Sequence, residues 1–197
     1  MNFHSIRQHQ ARILRNLRTL HRKFGAALFT FLFVVAITGL LLGWKKHSGG
    51  VLQTTTQQGT TNDLSKWLTI DELNKRAEQV LKDSVGQKLS ANLERIDIRK
   101  DKGIVKFIYS DHFWEIQLDG ATGDVLSVDQ RRSDFIEKIH DGSLIDFYIN
   151  SSNGQFKLFY TSLMGLGLLV FTITGFWLWY GPQQMRKHKM QVHDKKN

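Results

Sequence analysis

FGAALFTFLFVVAITGLLLGW, residues 24–44, passes 21 positions without a charge. At 1.5 Å of rise per helical residue it is long enough to cross the roughly 30 Å hydrocarbon layer of a bilayer. Lys23 precedes the run and Lys45 follows it, with Trp44 at the boundary, where an amphipathic ring suits an interface. The run is too long for a signal-peptide core and no small-residue cleavage pattern precedes the lysines, so it reads as an uncleaved anchor. A second uncharged run, residues 158–180, covers 23 positions and ends in Phe176, Trp177, Trp179 and Tyr180. Gly181 and Pro182 follow and are expected to stop that helix. Two antiparallel spans place both chain ends on one side of a membrane and residues 45–157 on the other.

The charge pattern assigns those sides. The chain carries 27 Lys and Arg against 18 Asp and Glu, a formal net charge of +9. Residues 1–23 hold six of the basic residues and no acid, and residues 181–197 hold five against Asp194 alone. The 16 basic and 17 acidic residues of 45–157 nearly cancel. Basic residues concentrate on the cytoplasmic side of membrane proteins, so both tails are expected in the cytoplasm of a bacterium, with 45–157 exported across the inner membrane. Anionic lipid accounts for the basic surplus, and a nucleic-acid partner is not expected. The absence of cysteine excludes disulfides, thiol catalysis, thiolate-held iron–sulfur or zinc sites and covalent haem attachment.

Between the spans the pattern changes with the local period. Ile6, Ile13, Leu17 and Leu20 recur near helical spacing in 1–23, among Arg7, Arg15, Arg18 and Arg22. This predicts a basic amphipathic helix on the anionic surface that runs into the first span. Residues 45–66, rich in Gly, Thr, Gln and Ser, read as a flexible tether. Residues 67–130 form the folded unit. Thr69 and Glu72 make a capping box, and Ile70, Leu73, Ala77, Val80 and Leu81 form one helix face. Alternation then predicts strands around Ile96 and Ile98, Val105 to Tyr109, Trp114 to Leu118, and Asp124 to Val128. The expected fold is α+β, a helix on a roughly four-stranded antiparallel meander whose other face is wet. In 131–157 Ser133 is expected to cap a short helix through His140, and an aromatic segment follows beside the membrane.

The spans share a motif, VVAITGLLLGW at 34–44 and VFTITGFWLWY at 170–180. Thr38, Gly39 and Gly43 in the first, with Thr174 and Gly175 in the second, are small residues that allow helices to approach, either as packing sites or as two equivalent ligand sites. The motifs LHRKFG at 20–25, IHDG at 139–142 and FWEIQLDGATGDVLSVD at 113–129, set between these spans, resemble the PepSY-associated transmembrane family. The resemblance covers nearly the whole chain. It implies an exported PepSY domain; larger members often have four spans, and some resemble haem-containing reductases of ferric siderophores.

Two readings follow from the residues and the resemblance together. In the first, the PepSY module binds or regulates an exported or membrane protein, or a second copy, through its exposed sheet face or edge. No catalytic constellation is present: no nucleophile motif occurs, and Asp119 and Asp124 flank a turn, where Asp bonds the local backbone. In the second, b-type haem is held for electron transfer, linked by the resemblance to ferric iron. The candidate ligands are His21 with His188 on the cytoplasmic side and His47 with His140 on the other; His21 and His140 lead because they stand in the matching motifs. The ordinary role of a histidine in a basic interfacial segment is contact with lipid headgroups.

Overall fold

A computed structural model of the chain describes residues 3–149, 151 and 153–194, with side chains described within 8–187. The elements run α1 (Phe3–Trp44), α2 (Ile70–Ser84), β1 (Leu93–Arg99), β2 (Ile104–Tyr109), β3 (Trp114–Asp119), β4 (Val125–Gln130), α3 (Arg132–His140), α4 (Ser143–Tyr148) and α5 (Gln155–Asp194). They divide into two compact units: Thr38–His140, and Met1–Ile37 together with Asp141–Asn197.

In the first unit, α2 begins where the sequence places its capping box. Thr69 Oγ1 accepts from the Glu72 backbone N–H, and the Glu72 carboxylate accepts from the Thr69 N–H. The four strands pair as an antiparallel meander in the order β1-β2-β3-β4. Register is fixed by Val105 opposite Leu118 and Phe107 opposite Ile116. Those four, with Tyr109, Leu73, Ala77 and Leu81, are fully buried between helix and sheet.

The other sheet face is not wet. Lys106, Glu115, Gln117 and Asp119 alternate with the core residues and are themselves buried. The segment expected to be a flexible tether lies across them. Thr54 donates to Glu115 at 2.6 Å, Gln57 N–H to Gln117 at 2.9 Å, and Thr60 N–H to Asp119 at 2.7 Å. Hydroxyl and amide groups of 54–60 thus satisfy polar side chains that water would otherwise serve, which is why a Thr/Gln-rich stretch without apolar period is ordered here.

Glu115 is the centre of this face. One carboxylate oxygen accepts from Thr54, from Lys106 at 3.3 Å and from Gln117 at 2.8 Å; the other accepts from Arg131. Arg131 Nε also donates to Asp134 at 2.8 Å. Burial pushes the Asp134 carboxyl up, but the Arg131 hydrogen bond and charge outweigh it and hold the group below the usual carboxylate range.

Asp119 is held low in the same way: burial raises it, and the backbone N–H groups of Ala121, Thr122 and Thr60 bring it below its ordinary value. A carboxyl with a depressed folded-state pKa adds stability that is complete above its unfolded value, about 3.9, and disappears as pH falls through the folded value. The first unit is therefore expected to lose stability below about pH 4. Thermal melts between pH 6 and 3 check this; Asp119→Asn should start less stable and show a flatter acid slope.

In the second unit α1 and α5 run antiparallel. A Cβ on Gly167 would meet Leu28 at 2.3 Å, one on Gly25 would meet Phe171 at 2.9 Å, and one on Gly181 would meet Leu14 at 2.6 Å. One side of the basic amphipathic segment is thus taken by α5. The expected stop at Gly181 and Pro182 does not occur: α5 continues through Pro182 to Asp194. Proline forfeits one helical N–H, and Gly181 serves close helix approach instead of termination. At the other end of α5, buried Asp146 of α4 accepts from Phe156 N–H at 3.1 Å and Lys157 N–H at 2.7 Å, covering donors that a helix start leaves open.

Candidate functional site

Each Ile-Thr-Gly motif holds one histidine. In the unit containing α5, His21 Nδ1 lies 2.8 Å from Thr174 Oγ1. The Thr174 hydroxyl is within 2.7 Å of the Val170 carbonyl and 3.1 Å of the Phe171 carbonyl, the back-bonds natural to threonine in a helix. Its one hydrogen is used there, so its oxygen accepts and His21 Nδ1–H donates. The imidazole stacks on Phe171, with ring centroids 4.0 Å apart and planes 26° apart. Its Cε1 lies 3.5 Å from where a Cβ on Gly175 would be.

The other unit repeats the arrangement with the motif of α1. His140 Nδ1 lies 2.9 Å from Thr38 Oγ1, and its Cε1 is 3.4 Å from the Cβ position of Gly39. Both threonines are buried, at 7% exposure for Thr38 and 3% for Thr174. Thr38 follows Val34 by four residues, as Thr174 follows Val170, so the same back-bond geometry is open to it.

His140 is carried there by α3, whose own position is fixed at three places. Arg131 bonds Asp134 and Glu115, Ser133 N–H donates to the Leu52 carbonyl at 2.7 Å, and Lys45 lies 4.0 Å from Glu137. Ser133 accordingly lies in the first turn of α3, which starts at Arg132. His140 closes the helix two residues before Gly142, whose φ of 78° suits glycine.

The chemical consequence concerns the second ring nitrogen. Where Nδ1 carries the proton and gives it to threonine, Nε2 presents a lone pair, the form in which imidazole ligates a metal. Neither Nε2 has a hydrogen-bond partner among the described residues.

The remaining candidates are placed differently. His47 ends a short 3₁₀ turn, is exposed, and makes no hydrogen bond, ion pair or ring contact to His140 among the described residues. The His188 side chain lies outside the described residues, so its pairing with His21 does too. Gly43 faces open space within 4 Å. Gly25, Gly167 and Gly181 stand with the expected Gly175 at the α1–α5 contact; sequence reasoning named neither Gly25 nor Gly167 for packing and read Gly181 as a helix stop, and the spacing of small residues was the available signal. His112 is half-buried, with Nε2 3.0 Å from the Ser90 carbonyl. No group of three or more His, Asp or Glu able to hold a metal occurs among the described residues.

A family model described as PepSY-associated TM region matches residues 18–195, a stretch containing both motifs and both histidines. The chain belongs to this family. As a PepSY-associated protein it is a membrane protein, with α1 and α5 supplying the two helices long and apolar enough to cross a bilayer. No curated protein and no solved structure matches the chain.

Proposed function

We propose that this PepSY-associated protein is a haem-binding electron-transfer component of the bacterial inner membrane, in which His21 and His140 would each hold a b-type haem. The supporting observation is the repeated arrangement in which a span threonine hydroxyl lies within hydrogen-bond distance of Nδ1, a glycine leaves room beside Cε1, and Nε2 has no partner among the described residues. The residues fit the group. Imidazole nitrogen is a haem ligand, Phe171 stacks on His21 and Ile139 precedes His140, and Arg18, Arg22 and Lys23 near His21 suit the macrocycle's carboxylates. Haem bound there would supply one-electron chemistry, with ferric iron a candidate acceptor. Thr174 and Thr38 orient the imidazoles, and Phe171 covers one face of His21. The basic tails favour a topology with both ends cytoplasmic and 45–157 exported, so that His21 and His140 serve opposite sides.

A purely partner-binding role loses the sheet face, because residues 54–60 lie across it, and is left with the sheet edge. Each site holds one described imidazole, so a second copy or a partner protein that would supply a further ligand belongs to this reading. The test is an absorption spectrum of the full chain purified in detergent from haem-replete cells, before and after dithionite. A near-stoichiometric Soret band that shifts on reduction supports the reading. Its absence, with no haem taken up on titration, overturns it.

A further inference from the structure

We infer that the cleft beside the N-terminal end of α3 binds a small aromatic carboxylate. The site does not depend on the reading of His21 and His140. The cleft encloses about 380 Å³ and is lined by His112, Phe113, Gln130, Arg131, Arg132 and Phe135.

Two aromatic rings set its shape. Phe113 and Phe135 meet edge to face, with centroids 5.9 Å apart and planes at 65°. Phe113 holds φ of 59°, the only non-glycine residue in positive φ among those described. A bulky residue adopts that conformation only when its surroundings enforce it, and such strain concentrates at binding sites. Here the enforcement is visible: the Phe113 carbonyl accepts from Arg131 N–H at 2.8 Å, and Lys138 Nζ stands 5.7 Å from the centre of its ring.

Charge sets the polarity of the ligand. The Arg131 guanidinium is committed to Glu115 and Asp134. Arg132 is exposed and makes no hydrogen bond or ion pair among the described residues. No carboxylate lines the cleft. A guanidinium fork with no acid partner matches a carboxylate in two parallel hydrogen bonds. His112 forms part of the wall, held by the hydrogen bond from Nε2–H to the Ser90 carbonyl. Two rings for a flat apolar body and one open guanidinium for its charge define an aromatic carboxylate more closely than an aliphatic acid or a neutral ring.

The test uses the full chain in lipid nanodiscs and equilibrium dialysis with 2-naphthoate, with empty nanodiscs subtracted. Saturable one-to-one binding is expected, with Kd between about 10 µM and 1 mM. Arg132→Gln should weaken it at least about fivefold through the lost charge-assisted bonds. Phe113→Gly should do the same by removing one wall, while glycine takes the positive φ without strain. The neutral analogue 2-naphthylmethanol should bind about tenfold more weakly than 2-naphthoate. Lys82→Gln, on the exposed side of α2, should bind like the parent. Because Arg132 is exposed, its variant remains informative even if Phe113→Gly proves poorly folded. Absence of saturable binding up to about 5 mM, or an unchanged Kd in Arg132→Gln, overturns the proposal.

Discussion

With alanine at both His21 and His140, the purified protein is expected to carry no haem, while the sheet-containing unit melts as in the parent. The expectation follows from where the two side chains stand. Each imidazole is bound by a single threonine and lies over a glycine, outside the hydrophobic core formed by α2 and the sheet. Removing it costs the fold one hydrogen bond, worth about 1 kcal/mol, but costs the haem an axial ligand. Single variants should each lose the haem at their own site. Thr38→Val and Thr174→Val provide the finer test, since valine keeps the shape and removes only the acceptor of Nδ1–H. Loss of such an outer partner commonly weakens metal-group binding about 10–100-fold. Haem content per chain, read by pyridine haemochrome assay beside a thermal melt, checks the series. Full haem in the double alanine variant would remove both residues from the ligand set.

Alanine at Glu115 is expected to unfold the sheet-containing unit or bring it close to unfolding. Glu115 is fully buried, and two cations, Lys106 and Arg131, point their charges at it with side-chain exposures of 5% and 8%. Deleting the anion leaves Lys106 buried without an ion-pair partner and Arg131 with Asp134 alone, and breaking a buried pair costs about 3–5 kcal/mol. A domain of this kind has about 5–15 kcal/mol in total. The loss also removes the acceptor of Thr54 and one of the two acceptors of Gln117 Nε2, so residues 54–60 should be held less tightly on the sheet. Hydrogen exchange read on β2, β3 and 54–60 checks this: protection should fall in all three together. Glu115→Gln keeps the acceptor of Thr54 and should cost less. Unchanged protection in Glu115→Ala would mean that water serves the polar face as well as the carboxylate does.

What the sequence made legible is what local physics decides. The capping box at Thr69 and Glu72, the apolar face of α2 and the period-two strands depend on neighbours within a few residues, and each appears as an element with the expected type. The two apolar runs are decided by length alone. Long-range partners were not readable in this way. Lys106, Glu115, Gln117 and Asp119 alternate with apolar residues just as a solvent-facing set would, and only the position of 54–60, some sixty residues away in the chain, makes them buried. The tether reading failed for the same reason, since its order comes from bonds to distant side chains and not from a period of its own.

The motif pair was legible as a repeat and as two equivalent packing or ligand sites, but the histidine that each motif meets was not. Thr174 lies 153 residues from His21, and Thr38 lies 102 residues from His140, so no local rule joins them. Pro182 misled through a rule that holds in isolation. Helix packing against α1 at Gly181 supplies what the missing N–H withdraws, and α5 continues.

The central claim is that each span threonine fixes its histidine as the Nδ1–H form with Nε2 presented to a ligand. Nitrogen NMR of histidine-labelled full chain, haem-free in detergent at neutral pH and then titrated with haem, tests it most directly. The account predicts that the ring signals of His21 and His140 show a protonated Nδ1 and a bare Nε2, and that these two alone shift or broaden as haem is added. Protons on Nε2 of both residues, or haem leaving both signals untouched, would contradict it.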